Sequence, residues 1–244
     1  MLKLRSLLSG FALVFALPAL LPAQAADSTL LSVHRIFGER EFRSESFGPT
    51  RWLEDGAAYT TVEDATEGGG RDIVRYDTRT GERTILVPAA QMTPAGDTTA
   101  LDIDDYHWSD DMGRLLIYTN SERVWRRNTR GDYWVLDRED GRLRQLGGTE
   151  AEPSTLMFAK FSPDGERVAY VRENNLHVED LSSGVITPLT TDGSRTIING
   201  TFDWVYEEEL GLRDGFRWSP DGQRIAYWQL NADSVRDFAL INNT

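Results

Sequence analysis

A short module, one aromatic residue followed by a polar turn, occurs repeatedly along this chain and constrains the fold more than any other feature. The modules are Trp52-Leu-Glu-Asp-Gly, Trp108-Ser-Asp-Asp, Phe161-Ser-Pro-Asp-Gly and Trp218-Ser-Pro-Asp-Gly. They recur about every 55 residues, and each precedes a run of β-branched, aromatic and small apolar residues. A period of about 50 residues built from turns and strands is typical of β-propeller blades.

The third repeat shows the expected blade most clearly. Its predicted strands are residues 156–161, 167–171, 176–180 and 185–189. The pairs between them, Asp-Gly, Asn-Asn and Ser-Gly, favour turns because these residues tolerate positive φ or bond their own backbone. The sequence therefore predicts an all-β propeller with four-stranded blades near residues 51–90, 103–147, 156–190 and 216–244. A β-sandwich is the alternative, but its turns recur every 8 to 12 residues without this longer period.

Two further features bear on the extent of the propeller. Gly68-Gly-Gly70 is interpreted as a hairpin tip, since the Lys and Ser or Thr of a phosphate loop are absent and no helix follows. In the fourth repeat only residues 235–241 remain for a third strand. A blade without its outer strand leaves backbone groups unpaired. We therefore expect the first part of a longer protein, about half of an eight-bladed propeller.

The first residues have the pattern of a secretory signal peptide. Lys3 and Arg5 precede an apolar run over residues 7–21, and Ala23-Gln-Ala25 supplies a cleavage site of small residues. A membrane anchor is the alternative, but the run is shorter than the roughly 20 apolar residues that span a bilayer. The pattern predicts a signal peptide over residues 1–25 and a periplasmic or secreted protein.

Composition excludes several kinds of partner and chemistry. The formal net charge is −13, so nucleic acid and anionic membranes are poor partners because they are repelled. Cationic or amine-bearing ligands are attracted by the negative electrostatic field of the protein. The absence of Cys excludes disulfides, Cys-ligated metals and a thiol nucleophile. There is no His-Glu-x-x-His motif, and His34, His107 and His177 are interpreted as packing or surface residues. We expect no metal and no cofactor.

The segment between the third and fourth repeats, residues 191–215, has a different character. It contains Asp203-Trp-Val-Tyr-Glu-Glu-Glu209, in which Asp203 suits a helix N-cap, and Gly211 suits a helix end. We therefore expect a short helical insertion carrying three acids. A run of Glu on an exposed helix is the plain interpretation. The functional interpretation is that apolar neighbours pin the segment against the propeller. These neighbours are Phe202, Trp204, Val205, Tyr206 and Leu210.

Pinned carboxylates are suited to binding an amine. Successive helical residues point about 100° apart, so two neighbouring Glu side chains can approach one small cation from two sides. The α-ammonium of a peptide is mostly charged at neutral pH because its pKa is about 7.7 to 8.0. The segment therefore predicts selection of a free peptide N-terminus.

The string Asp203-Trp-Val-Tyr-Glu-Glu-Glu209, followed by Trp218-Ser-Pro-Asp-Gly, resembles the dipeptidyl peptidase IV family of serine peptidases, within the prolyl oligopeptidase clan. The resemblance covers half of the N-terminal propeller of that family. It implies that Glu208 and Glu209 hold the amino terminus of the substrate. It also implies that Arg126, which follows Trp125, binds the substrate carbonyl near that terminus.

Arg126 belongs to a cluster of cations in an otherwise acidic chain. The other members are Arg123, Arg127 and Arg130, for which a solvated face of a long hairpin is an equal alternative. Arg126 is assigned the functional role, because a planar guanidinium can bond a carbonyl and pair with a Glu at the same time.

The resemblance implies an exported serine exopeptidase that releases N-terminal dipeptides with Pro or Ala in the second position. The part of the enzyme that this chain represents would bind the α-ammonium of the substrate and control substrate access. No Gly-x-Ser-x-Gly occurs, so the catalytic Ser, Asp and His are expected on a C-terminal α/β-hydrolase domain, and this chain alone is expected to be inactive. Expected partners are peptides with a free N-terminus, that hydrolase domain and, by family resemblance, a second copy. A tripeptidyl aminopeptidase and a non-enzymatic periplasmic scaffold remain alternatives.

Overall fold

The computed structural model describes residues 30–44, 47–66, 68–149, 151–239 and 241. The chain divides into two compact units, residues 1–46 and 47–244. In the first unit, a π-helical turn over His34–Gly38 is followed by an ion pair between Arg35 Nε and Glu41 Oε2 at 2.5 Å. The predicted signal peptide lies outside the described residues.

The second unit begins with a four-stranded antiparallel sheet. Its strands are β1 (Arg51–Leu53), β2 (Ala58–Asp64), β3 (Arg71–Asp77) and β4 (Arg83–Val87), paired in chain order. Gly68, Gly69 and Gly70 all have positive φ and lie between β2 and β3. The run is therefore a hairpin tip, as the sequence predicted.

Two more sets of four strands follow a 3₁₀ turn at Ala89–Met92. The first set is β5 (Asp105–Trp108), β6 (Arg114–Arg123), β7 (Asn128–Asp137) and β8 (Leu143–Gln145); the next is β9 (Leu156–Phe161), β10 (Arg167–Arg172), β11 (Asn175–Asp180) and β12 (Ile186–Pro188). All pairs are antiparallel between strands adjacent in the chain, and the two sets meet where Gly131 of β7 pairs with Leu156 of β9. The four predicted strands of the third repeat are all present.

The last part of the chain departs from the regular pattern. Its elements are β13 (Ile197–Asn199), α1 (Trp204–Leu210), β14 (Phe216–Trp218), β15 (Ile225–Tyr227) and β16 (Gln229–Asn231). β14 pairs with β15, whereas β16 returns to pair with β13 in the segment predicted as an insertion. The predicted third strand over residues 235–241 is wrong for the residues described there. Val235, Phe238 and Ile241 are exposed and lie in no strand.

The core lies between successive sets of strands. One apolar cluster joins the first and second sets, and it includes Ile73, Met92 and Tyr106. A second joins the second and third sets, and a third joins the third set to β14 through Phe216. Burying one such side chain contributes about 1.5–3 kcal/mol, so the hydrophobic effect favours this serial packing.

The repeated module closes its own turn with polar contacts. The Ser219 hydroxyl donates to Asp221 at 2.5 Å, and the Ser109 hydroxyl donates to Asp111 at 2.6 Å. In both turns the Ser backbone N–H also donates to the carbonyl of the Arg five residues later. The Ser and Asp of the module therefore satisfy a tight turn that would otherwise leave backbone groups open.

The residue after each turn connects one set of strands to the next. Arg114 Nη1 donates to the carbonyl of Gly165 at 2.8 Å, and Arg167 Nη2 donates to the carbonyl of Gly222 at 3.0 Å. Each Arg thus reaches the turn of the following repeat. The fold is all-β, built from four-stranded antiparallel units of propeller type with a short helix that carries the acids, which confirms the predicted fold class. The number of blades and the domain limits stay predictions.

Candidate functional site

Helix α1 begins and ends where the sequence predicts. The Asp203 side chain accepts the backbone N–H of Tyr206 at 3.1 Å, which satisfies one of the free donors of the first turn. At the other end Gly211 has φ of 67°, and its N–H donates to the carbonyl of Glu207 at 3.1 Å. A residue with a Cβ adopts this left-handed conformation less readily than glycine, so Gly211 ends the helix.

The three acids of α1 lie in three different environments. Glu207 is buried, with 8% of its surface exposed. The side chain of Glu208 is 20% exposed, and Glu209 is exposed to solvent. Successive side chains point about 100° apart on a helix, which explains why the three acids differ in exposure.

The aromatic and apolar neighbours of the acids do not all pin the helix. Phe202 is buried and its ring stacks on that of Tyr206, with the centroids 5.2 Å apart. Trp204, Val205 and Leu210 are exposed, so the prediction that they pack against the sheets is wrong. The segment is anchored through Phe202, whose ring centroid lies 6.1 Å from that of Trp228, and through Glu207, which bonds the Arg126 backbone.

The candidate arginine lies at the tip of the longest hairpin. β6 and β7 are ten residues each, and the turn between them is closed by the N–H of Val124 donating to the carbonyl of Arg127 at 3.1 Å. Register shifts interrupt the pairing from Thr119 onward, so the tip bends away from the regular ladder. Trp125 and Arg126 are both exposed on this tip.

The hairpin tip and α1 meet through Arg126. Arg126 Nη2 lies 2.5 Å from Glu208 Oε1, and the backbone N–H of Arg126 donates to Glu207 Oε1 at 3.2 Å. The structure thus brings Arg126 and Glu208 together across 82 positions of sequence. Glu209 follows Glu208 in α1 and is exposed to solvent. A carboxylate accepts up to about four hydrogen bonds, so Glu208 retains acceptor capacity for a second cation.

The other arginines of the cluster do not join this contact. Arg130 pairs with Glu122 at 2.8 Å, and Arg123 Nε donates to the carbonyl of Trp125 at 2.9 Å. Arg127 lines a neighbouring cleft. Arg123 and Arg130 therefore bond within the hairpin, as a solvated hairpin face predicts, whereas Arg127 borders the cleft.

This cleft has a volume of about 750 Å³ and is bordered by β5 and β9. Its wall includes His107, Lys160, Arg213 and Asp214. Lys160 Nζ lies 2.5 Å from Asp214 Oδ1 and 3.6 Å from the centre of the Phe216 ring. Burial lowers the pKa of Lys160 to about 8, although the Asp214 carboxylate opposes that shift.

The histidines occupy the places expected of packing or surface residues. His177 stacks on Tyr170 with ring centroids 5.7 Å apart, and His34 Nε2 lies 3.3 Å from Glu39 Oε1 on an exposed turn. His107 lies beside Arg51 and Asp105 in the cleft wall. Across the described ranges, no three His, Asp or Glu side chains lie close enough together to hold a metal ion. No helix in those ranges has the length and apolar character needed to cross a membrane.

Two contacts were missed by reasoning from sequence. From the sequence, roles were assigned to Glu208 and Glu209 only, whereas Glu207 is the buried acid that bonds the Arg126 backbone. The Lys160–Asp214 pair was not predicted. The sequence contained a signal for the Lys160–Asp214 pair. Lys160 is the only lysine after Lys3 in the sequence, and it lies inside a predicted strand.

Comparison with known proteins assigns the family. The model of the dipeptidyl peptidase IV N-terminal region matches residues 109–244. Dipeptidyl aminopeptidase B of Saccharomyces cerevisiae is 35% identical over 142 residues, which are 57% of this chain and 17% of that protein. The probable dipeptidyl-aminopeptidase B of Emericella nidulans is 35% identical over 133 residues, which are 54% of this chain and 15% of that protein.

A solved structure agrees with this assignment. The crystal structure of Porphyromonas gingivalis dipeptidyl peptidase 4 superposes with a TM-score of 0.66 and 28% sequence identity, covering 79% of this chain and 26% of that one. The chain spans less than a fifth of the length of either curated relative. The family model covers more than half of the chain. The chain therefore belongs to the dipeptidyl peptidase IV family and corresponds to its N-terminal region.

Proposed function

We propose that this chain is the N-terminal part of an exported serine exopeptidase that releases dipeptides from peptide N-termini, with Pro or Ala preferred in the second position. The observation that carries the proposal is the 2.5 Å pairing of Arg126 with Glu208, with Glu209 beside it on the same helix. The similarity to dipeptidyl aminopeptidases supports the class of reaction.

In this proposal the α-ammonium of the peptide binds Glu208 and Glu209. An ammonium has three N–H donors, and each hydrogen bond to a charged group contributes about 1.5–3 kcal/mol net. The guanidinium of Arg126, oriented by Glu208, donates to the first carbonyl of the peptide. A blocked N-terminus loses its charge and one or more donors, so the site selects free amines.

The amine anchor sets the position of cleavage. When the amino terminus is held, the second peptide bond lies at a fixed distance from it, and only this bond reaches a Ser nucleophile supplied by a C-terminal hydrolase domain. The cleft of about 750 Å³ that borders Arg127 and Arg213 is the access route through this part. Residues 1–25 direct the protein out of the cytoplasm.

The test uses the full-length protein that carries this chain, with chromogenic Xaa-Pro amides bearing a free or an acetylated N-terminus. We expect Glu208→Gln and Glu209→Gln each to lower kcat/KM for the free-amine substrate by about 10- to 100-fold, because one charged bond is lost. Arg126→Ala is expected to raise KM while the protein stays folded. Glu139→Gln, at an exposed turn, is the matched control and is expected to behave as wild type.

Three results contradict the proposal. Wild-type kinetics in both Glu variants exclude the amine anchor. Release of tripeptides in place of dipeptides from an oligopeptide with a free N-terminus identifies the tripeptidyl alternative. A purified full-length protein that cleaves neither substrate, yet binds folded proteins, identifies the scaffold.

A further inference from the structure

Glu207 contacts the candidate site without facing it. Its carboxylate is buried, and Glu207 Oε1 accepts the backbone N–H of Arg126 at 3.2 Å. The next residue of the helix, Glu208, pairs with the guanidinium of the same arginine. Arg126 is therefore held at two points, one on its backbone and one at the end of its side chain.

The second point of attachment matters because of where Arg126 lies. It is at the exposed tip of the β6–β7 hairpin, beyond the register shifts, and its own side chain is 63% exposed. An ion pair made by a long, exposed side chain constrains the backbone weakly, since the side chain has many rotamers. A buried acceptor bonded directly to the N–H fixes the position from which the guanidinium extends.

Glu207 is not required by the helix itself. Asp203 already caps the first turn by accepting the N–H of Tyr206. Burial of a carboxylate is costly unless it is hydrogen-bonded, so an apolar residue would suit a position that served packing alone. The charged acceptor is explained by its bond to the hairpin tip.

We propose that Glu207 is a positioning residue for substrate binding, which acts through Arg126 by fixing the hairpin tip against α1. The inference rests on the proposed function, since it assigns to Arg126 the role of binding the substrate carbonyl. The proposal predicts that KM depends on the presence and position of the Glu207 acceptor oxygen more than on the negative charge of the carboxylate.

The test again uses the full-length protein and a free-amine Xaa-Pro amide. Glu207→Met removes the acceptor at similar volume and is expected to raise KM by about 10-fold with kcat within about twofold of wild type. Glu207→Gln keeps an oxygen at the same place and is expected to stay within about threefold of wild type in KM. Glu207→Asp keeps the charge but withdraws the oxygen by one methylene, and it is expected to resemble the Met variant.

A double-mutant cycle separates positioning from general stability. In the Arg126→Ala background, Glu207→Asp and Glu207→Met are expected to raise KM no further, because the side chain that they misplace is gone. Glu139→Met serves as the matched control for loss of one negative charge at an exposed site. Thermal unfolding of each variant reports its folded state.

The inference is overturned if Glu207→Asp leaves KM unchanged, or if its effect is equal with and without the Arg126 side chain. If Glu207→Met does not fold, the Asp and Gln variants decide. Failure of this inference is distinct from failure of the proposed function: in the first case Glu208→Gln still lowers kcat/KM, and in the second neither Glu208→Gln nor Glu209→Gln does.

Discussion

The base and the tip of the β6–β7 hairpin are held in place by different kinds of contact. At the base, Leu115, Ile117 and Leu136 are fully buried in the first apolar cluster. At the tip, Trp125 and Arg126 are exposed, and the tip meets α1 through polar contacts. The base depends on buried area and tolerates little change in volume, whereas the tip depends on a few directed bonds.

This difference indicates that the base of the hairpin contributes mainly to stability and that its tip contributes mainly to binding. Loops and hairpin tips carry binding groups because a rigid scaffold holds them in position. Changes at the base should therefore alter stability without altering the site, and changes near α1 should alter substrate binding more than stability. Three predictions test this separation, beyond the experiments on the proposed site.

The largest effect is expected at the base of the hairpin. Leu115→Ala is expected to lower the free energy of unfolding by about 2–5 kcal/mol, because a fully buried side chain leaves a cavity. Leu189→Ala is the matched control, since Leu189 is 49% exposed. Denaturant unfolding measures both. An equal loss in the two variants would contradict the assignment of Leu115 to the core.

A smaller, pH-dependent effect is expected at Lys160, in the cleft wall. Its folded pKa of about 8 lies below the ordinary value of 10.5, so the folded state holds fewer protons than the unfolded state between these values. The free energy of unfolding should therefore rise with pH from about 8 to about 10.5, and the penalty for burying the charge is present in full below pH 8.

Lys160→Met should lack this rise, so the free energy of unfolding of wild type minus that of the variant should increase as pH rises through the window. Arg217 Nη1 also pairs with Asp214 Oδ2, at 2.7 Å, so we expect the Asp214 carboxylate to keep one cationic partner when Lys160 is replaced. The ¹³C resonance of reductively methylated Lys160, assigned by its loss in Lys160→Arg, reports the pKa directly. A midpoint above pH 10 would contradict the burial of the ammonium.

The smallest effect on stability is expected at the start of α1. Asp203→Ala is expected to lower the free energy of unfolding by about 1 kcal/mol, because the N–H of Tyr206 loses its acceptor. Asp203→Asn retains a side-chain oxygen and is the control. Because α1 carries the acids, the Ala variant should also raise KM for a free-amine substrate more than Leu115→Ala does. The opposite order would show that the helix and the core are not separable.

Much of the fold could be predicted because its signals are local. The aromatic-turn modules, the turn pairs and the alternating strands each specify their own few residues, and hydrogen bonds within the Ser-x-Asp turns complete them. The exposure of Trp204, Val205 and Leu210 could not be predicted, because three apolar residues on a short helix do not indicate which face has a partner. The pairing of β16 with β13 depends on how the segment around α1 folds back.

The candidate site shows the same division. The amino-acid sequence by itself determined the repeating β architecture, the helix between Asp203 and Gly211, and the concentration of acids on it, because each follows from the conformational preference of neighbouring residues. Only the tertiary structure decided that Glu207 is buried against the Arg126 N–H, that Glu208 meets the guanidinium, and that Lys160 pairs with Asp214. These contacts join segments more than 50 positions apart, and their geometry depends on the packing of whole sheets and on the bend of one hairpin, which no local pattern encodes.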